Sequence, residues 1–138
     1  MKTTFKIIVF LLLAGPASFA QNKPYRVVFD MTSKDTVDHR MVMRWVDEEL
    51  QSHPEAMIEV VFFGKSLDML VQGKSIAPEA ITVMAQRKNV TFNVCAVAMK
   101  NNKIEKSQLL PGIKIVPDGI FEIVSKQNEG WGYIKVSH

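Results

Sequence analysis

The only cysteine of this 138-residue chain, Cys95, falls in the stretch Thr-Phe-Asn-Val-Cys-Ala-Val-Ala-Met-Lys from Thr91 to Lys100. The apolar run from Val90 to Val94 reads as a short buried strand that delivers the thiol to its carboxyl end. In a parallel α/β sheet, ligands and reactive groups collect in the crevice beyond those ends. A thiol placed there is a candidate nucleophile. Backbone N–H groups at the start of a following helical turn would favour its thiolate, with Lys100 or Lys103 adding positive charge nearby. The other reading is a buried free cysteine that acts as a small apolar residue, and the apolar neighbours on both sides favour it.

Few other residues carry a pattern with chemistry in it. His39, His53 and His138 show no ligand spacing with one another or with Cys95. A structural zinc site needs about four clustered ligands, so these read as surface histidines and no metal is expected. Asp35 and Asp38 lie near a helix start, where a carboxylate caps the helix and meets its dipole. Met41, Met43, Met57, Met69, Met84 and Met99 sit within apolar patterns and read as core filling. Trp131 and Tyr133 read as core or subunit-interface packing. There is no defensible Ser-His-Asp order, no phosphate-binding glycine loop and no dinucleotide fingerprint, so no cofactor is implied.

The elements that must position Cys95 begin after a leader. Met1 to Ala20 has a positive start (Lys2, Lys6), an apolar middle (Ile7 to Ala14), a break at Gly15-Pro16, and small residues Ser18 and Ala20 at its end. That is the layout of a secretory signal peptide. The apolar run is shorter than the roughly 20 residues that cross a bilayer, and Gln21, not Cys, follows the cut, which excludes a lipoprotein lipobox. The expectation is a signal peptide over 1–20 and a single domain over 21–138. The mature protein would be periplasmic or secreted, with no stable membrane insertion. Two of the seventeen basic residues lie in the leader, so 15 basic face 14 acidic residues in the mature part. Such a balance offers no basic patch for nucleic acid or anionic lipid. A single cysteine also rules out an internal disulfide, so the exported fold must stand on its core.

Apolar runs and turn residues then alternate. Strands are expected at Tyr25–Asp30, Met57–Phe63, Val90–Val94, Ile113–Val116 and Tyr133–Val136. The spacing predicts helices over Thr36–Gln51, Pro78–Lys88 and Gly119–Gln127, the last with Ile120, Ile123 and Val124 inward. Short helical pieces are expected at Ser66–Val71, Ala96–Lys100 and Ile104–Leu110. The alternation means an α/β fold, a parallel sheet with helices on both faces.

The chain resembles the DsrE/DsrF-like family over nearly all of Lys23 to Val136. The resemblance is carried by Tyr25-Arg-Val-Val-Phe-Asp30 with Thr32-Ser-Lys-Asp35, Val60-Val-Phe-Phe-Gly64 with Leu67-Asp-Met-Leu70, and Val94-Cys95 after a strand. It continues through Leu109-Leu-Pro-Gly112, Val116-Pro-Asp-Gly-Ile120 and Gln127-Asn-Glu-Gly-Trp-Gly-Tyr-Ile-Lys135. It implies a three-layer α/β/α domain with a five-stranded, mainly parallel sheet, assembling as a trimer or hexamer. It also implies that Cys95 carries sulfur as a persulfide and exchanges it with a donor or acceptor protein. Where many members have Asn-Thr after the cysteine and a His before the second strand's glycine, this chain has Ala96-Val97-Ala98 and Phe63. Two functions follow as expectations. One is an exported sulfur carrier acting through Cys95. The other is a non-catalytic oligomeric binding protein with an inert cysteine and a ligand in the crevice near Asp30 and Gly64, with Lys100 beside it.

Overall fold

The computed structural model describes residues 24–138. The expected signal peptide lies outside the described residues. Five parallel strands form one sheet in the order β4-β3-β2-β1-β5. They are β1 (Arg26–Met31), β2 (Met57–Phe62), β3 (Val90–Cys95), β4 (Lys114–Val116) and β5 (Gly132–Lys135). The helices are α1 (Thr36–Ser52), α2 (Pro78–Met84), α3 (Ala96–Asn101) and α4 (Gly119–Asn128). The sheet was expected to be mainly parallel, and every pairing is parallel.

One sheet face is thickly covered. Phe29, Met31, Ile58, Val60, Phe62, Phe92 and Val94 meet α1, α2 and the short 3₁₀ turn Leu67–Leu70 in the main core. Fully burying such a side chain contributes about 1.5–3 kcal/mol. The buried stripe of α1 runs through Asp38, Val42, Val46 and Leu50, four residues apart, as a helix face requires. Val37 is exposed, and the first inward turn of this helix is polar. Its Asp38 and His39 are both buried, so His39 is not a surface histidine. It bonds through Nε2 to the Ser33 carbonyl at 3.0 Å. Asp35 caps this helix, accepting from the Val37 N–H at 2.8 Å.

The opposite face carries α4 alone, packed over Val28 and Val61 through Ile123. Ile120 and Val124, expected inward, are exposed, because α4 is a single helix lying across the sheet and only one of its rows reaches it. A buried ion pair ties it down. Lys126 Nζ lies 3.2 Å from Glu59 Oε2 in the middle of β2, and Asn93 Nδ2 donates to Glu59 Oε1 at 2.7 Å. The chain reaches this face because β4 and β5 lie at opposite edges of the sheet. The connection between them must cross it, which brings the start of α4 over the end of β3. No helix among the described residues is long and apolar enough to cross a membrane.

Candidate functional site

β3 ends at Cys95, whose backbone is still extended and serves as the cap residue of α3. Cys95 pairs with Val116, the last residue of β4, and the chain then turns through Pro117 and Asp118 into α4. Asp118 caps α4, its Oδ1 accepting from the N–H groups of Ile120 and Phe121 at 2.8 and 3.1 Å. The first residue of α4, Gly119, packs against the side chain of Cys95. A Cβ at Gly119 would meet Cys95 Cβ and Val61 Cγ1 at 3.2 Å and Phe63 Cβ at 3.3 Å. Glycine suits this position because a methyl group there would crowd the helix start against the strand end.

A cleft of about 340 Å³ opens at this point, lined by Phe63, Gly64, Cys95, Val97, Ala98, Asn102, Asp118 and Ile120 among others. Its size is that of a small-molecule site. Gly64 turns the chain out of β2 at φ +63°, a conformation that favours glycine. Ser66, fully buried, pins this turn by donating to the carbonyls of Met31 and Phe63. Asn102 closes the side of the cleft by donating to the carbonyls of Gly64 and Ala98 at 3.1 and 2.8 Å. Cys95 itself is 5% exposed at the cleft floor.

Of the residues picked out from sequence, Cys95 and Gly64 share this cleft. Asp30 lies in a neighbouring one of about 360 Å³, together with Thr32, Tyr133 and Lys135. Lys100, near the carboxyl end of α3, is exposed and stands outside both. The polar residues that line the thiol cleft, Lys65, Asn101, Asn102 and Asp118, escaped sequence reading as site residues. The Asp118-Gly119 pair before an apolar-periodic segment was a legible cap signal. Asn102 gave none, because it ties the end of α3 to Gly64, 38 residues away after β2. Among the described residues, no three His, Cys, Asp or Glu side chains gather as a metal site would require.

The whole chain from residue 6 to residue 136 matches the model of the DsrE/DsrF-like family. The protein belongs to that family, which is related to sulfur relays. Among solved structures it is similar to MTH1491, a protein of unknown function from Methanobacterium thermoautotrophicum. The identity there is 26% and the TM-score 0.75, over 80% of this chain and 98% of that one. It is also similar to the ychN protein from E. coli, with 9% identity and a TM-score of 0.67 over 82% and 99% of the two chains. A third is BT1422 of Bacteroides thetaiotaomicron, a conserved protein of unknown function. It shares 15% identity at a TM-score of 0.66, over 80% and 94% of the two chains. No curated protein matches the chain.

Proposed function

We propose that this protein binds sulfane sulfur as a persulfide on Cys95 and passes it on, as an exported homo-oligomer of the cell envelope. The observation that carries the reading is the position of the thiol. It is the one cysteine of the chain, and it sits at the carboxyl end of a central strand, on the floor of a small-molecule cleft. The family's relation to sulfur relays supports the same reading. In the transfer step, the Cys95 thiolate attacks the terminal sulfur of a donor persulfide. The donor's S–S bond breaks, a new S–S bond forms on Cys95, and the donor leaves as a thiol carrying the proton. The exchange is redox-neutral. Phe63, Val97, Ala98 and Ile120 give the bound sulfur a largely apolar surround.

The oligomer part of the reading is supported by apolar side chains left in solvent around the cleft mouth. Val97 is 52%, Ile120 63% and Phe121 71% exposed. Exposed apolar side chains of this kind mark an interaction surface, which a trimer or hexamer covers in part while the cleft stays open. The signal-peptide layout of residues 1–20 supports export.

Burial favours a second reading, a binding protein of the same fold with an inert cysteine. Thiol labelling of the folded protein separates the two. Labelling of Cys95 at a rate set by reagent concentration supports the carrier. Labelling only after denaturation supports the inert cysteine.

A further inference from the structure

The cleft beside β1 and β5 holds a charged cluster that the Cys95 chemistry leaves unused. Asp30 is buried and both its oxygens are engaged. Tyr133 Oη donates to Oδ2 at 2.6 Å and Lys135 Nζ to Oδ1 at 2.9 Å. Lys135 Nζ also donates to Thr32 Oγ1. The hydrogen bond to Asp30, burial and the aspartate charge push the Tyr133 hydroxyl up to about 12, so it remains a donor. An ammonium has three protons, and the Lys135 side chain is 42% exposed, so its third proton is left for a ligand. Phe63, Ile120, Ile123 and Val124 form the apolar wall around it, and Gln127 adds an amide.

Phe63 and Ile120 line this cleft and the Cys95 cleft alike, so the two adjoin across a shared apolar wall. The groups that hold the ammonium, Asp30 and Thr32, sit at the end of β1, two strands from Cys95 on β3. A spacing of about 4.8 Å per strand sets the ends of β1 and β3 about 10 Å apart, the lateral span a ligand touching both groups must bridge.

We infer that the Lys135 cleft is a carboxylate subsite for the substrate of Cys95. The sulfur donor or acceptor is then a low-molecular-weight thiol or persulfide of about tripeptide size, with a carboxylate about 10 Å from its sulfur. This rests on the sulfur reading of Cys95. The carboxylate accepts from Lys135 Nζ, the ligand body lies over Phe63 and Ile120, and its sulfur meets the thiol. The donor R–S–SH leaves as R–SH when its outer sulfur moves to Cys95, with no external oxidant or reductant.

Two measurements on the folded protein test the inference. The first is calorimetric titration with S-methylglutathione, which cannot exchange sulfur, beside its diethyl ester, which has lost its carboxylates. The acid should bind about tenfold more tightly than the ester, the worth of one charge-assisted hydrogen bond. Lys135→Gln should remove that preference and Lys135→Arg restore it. Equal binding of acid and ester, or binding of neither, overturns the subsite. The ester comparison uses the unaltered chain, so the conclusion stands even where Lys135→Gln fails to fold. The second measurement is the rate at which glutathione persulfide and its diethyl ester load Cys95. A preference of about tenfold for the acid supports the inference. Equal rates overturn the subsite and leave the sulfur reading standing. Acid-selective binding with no loading by either donor overturns the sulfur reading and the substrate assigned here, while the carboxylate subsite survives.

Discussion

Gly119 and Cys95 touch where a helix start meets a strand end, and the contact is tight enough to be read by one methyl group. Gly119→Ala adds a Cβ at 3.2 Å from Cys95 Cβ. Overpacking of this kind costs about 1–3 kcal/mol, and the better helix propensity of alanine returns less than about 1 kcal/mol. A net loss of about 1 kcal/mol is expected as a lower denaturant midpoint, and an unchanged or higher midpoint would show that the contact yields. A second residue-scale feature is the clamp on the carboxyl terminus. His138 Nδ1 lies 2.9 Å from Asp38 Oδ1. The hydrogen bond to Asp38, with the charges of Asp38 and Asp35, holds the imidazole above its ordinary 6.5. Burial works to raise Asp38, but hydrogen bonds from Ser33 and His138 outweigh it and leave it below its ordinary 3.8. The His138 contribution is fully present below pH 6.5 and fades as pH rises through the raised value. The Asp38 contribution is present above 3.8 and is lost as pH falls through the lowered value. The stability lost in His138→Ala should therefore be greater at about pH 5.5 than at about pH 8, by urea denaturation at both. An equal loss would mean that the pair does not form in solution.

At the scale of elements, α4 is the weakly anchored piece that the site depends on. Its buried tie is Lys126 to Glu59, where burial pushes the Glu59 carboxyl up and Lys126 pulls it back. Lys126→Met leaves the buried Glu59 with Asn93 and beside Glu122 but without a cation, and a loss of about 3 kcal/mol is expected by chemical denaturation. Adding Glu59→Leu should restore most of it, since a matched apolar pair replaces a buried ion pair at little cost. A double variant as unstable as the single one would show that the charge pair itself holds the helix. The elements were largely legible because strands β1, β2 and β3 are buried on both faces and read as apolar runs. The inward face of α4 was not. Ile120, Ile123 and Val124 share helical spacing, and spacing alone does not tell a side chain that meets its own sheet from one left for a partner. Pro78–Lys88 likewise shortened to Pro78–Met84, since the turn that follows brings Arg87 and Asn89 into loop hydrogen bonds.

For the whole molecule, the apolar residues around the cleft predict assembly. Sedimentation should give a trimer or hexamer, and Phe121→Glu, which puts a charge on the most exposed of these residues, should shift the population toward monomer. A monomeric parent protein would contradict the assembly. The thiol at the end of β3 was legible because a strand followed by small residues has few other meanings. The Asp30–Tyr133–Lys135 cluster was not, since Tyr133 and Lys135 lie over 100 residues from Asp30 and only the β1–β5 pairing joins them. The central claim remains the persulfide on Cys95, and intact mass spectrometry after incubation with inorganic polysulfide tests it most directly. The account predicts a gain of one or more sulfur atoms, reversed by reductant and absent in Cys95→Ser. A folded protein that gains no sulfur, or a Cys95→Ser variant that gains as much, would contradict it.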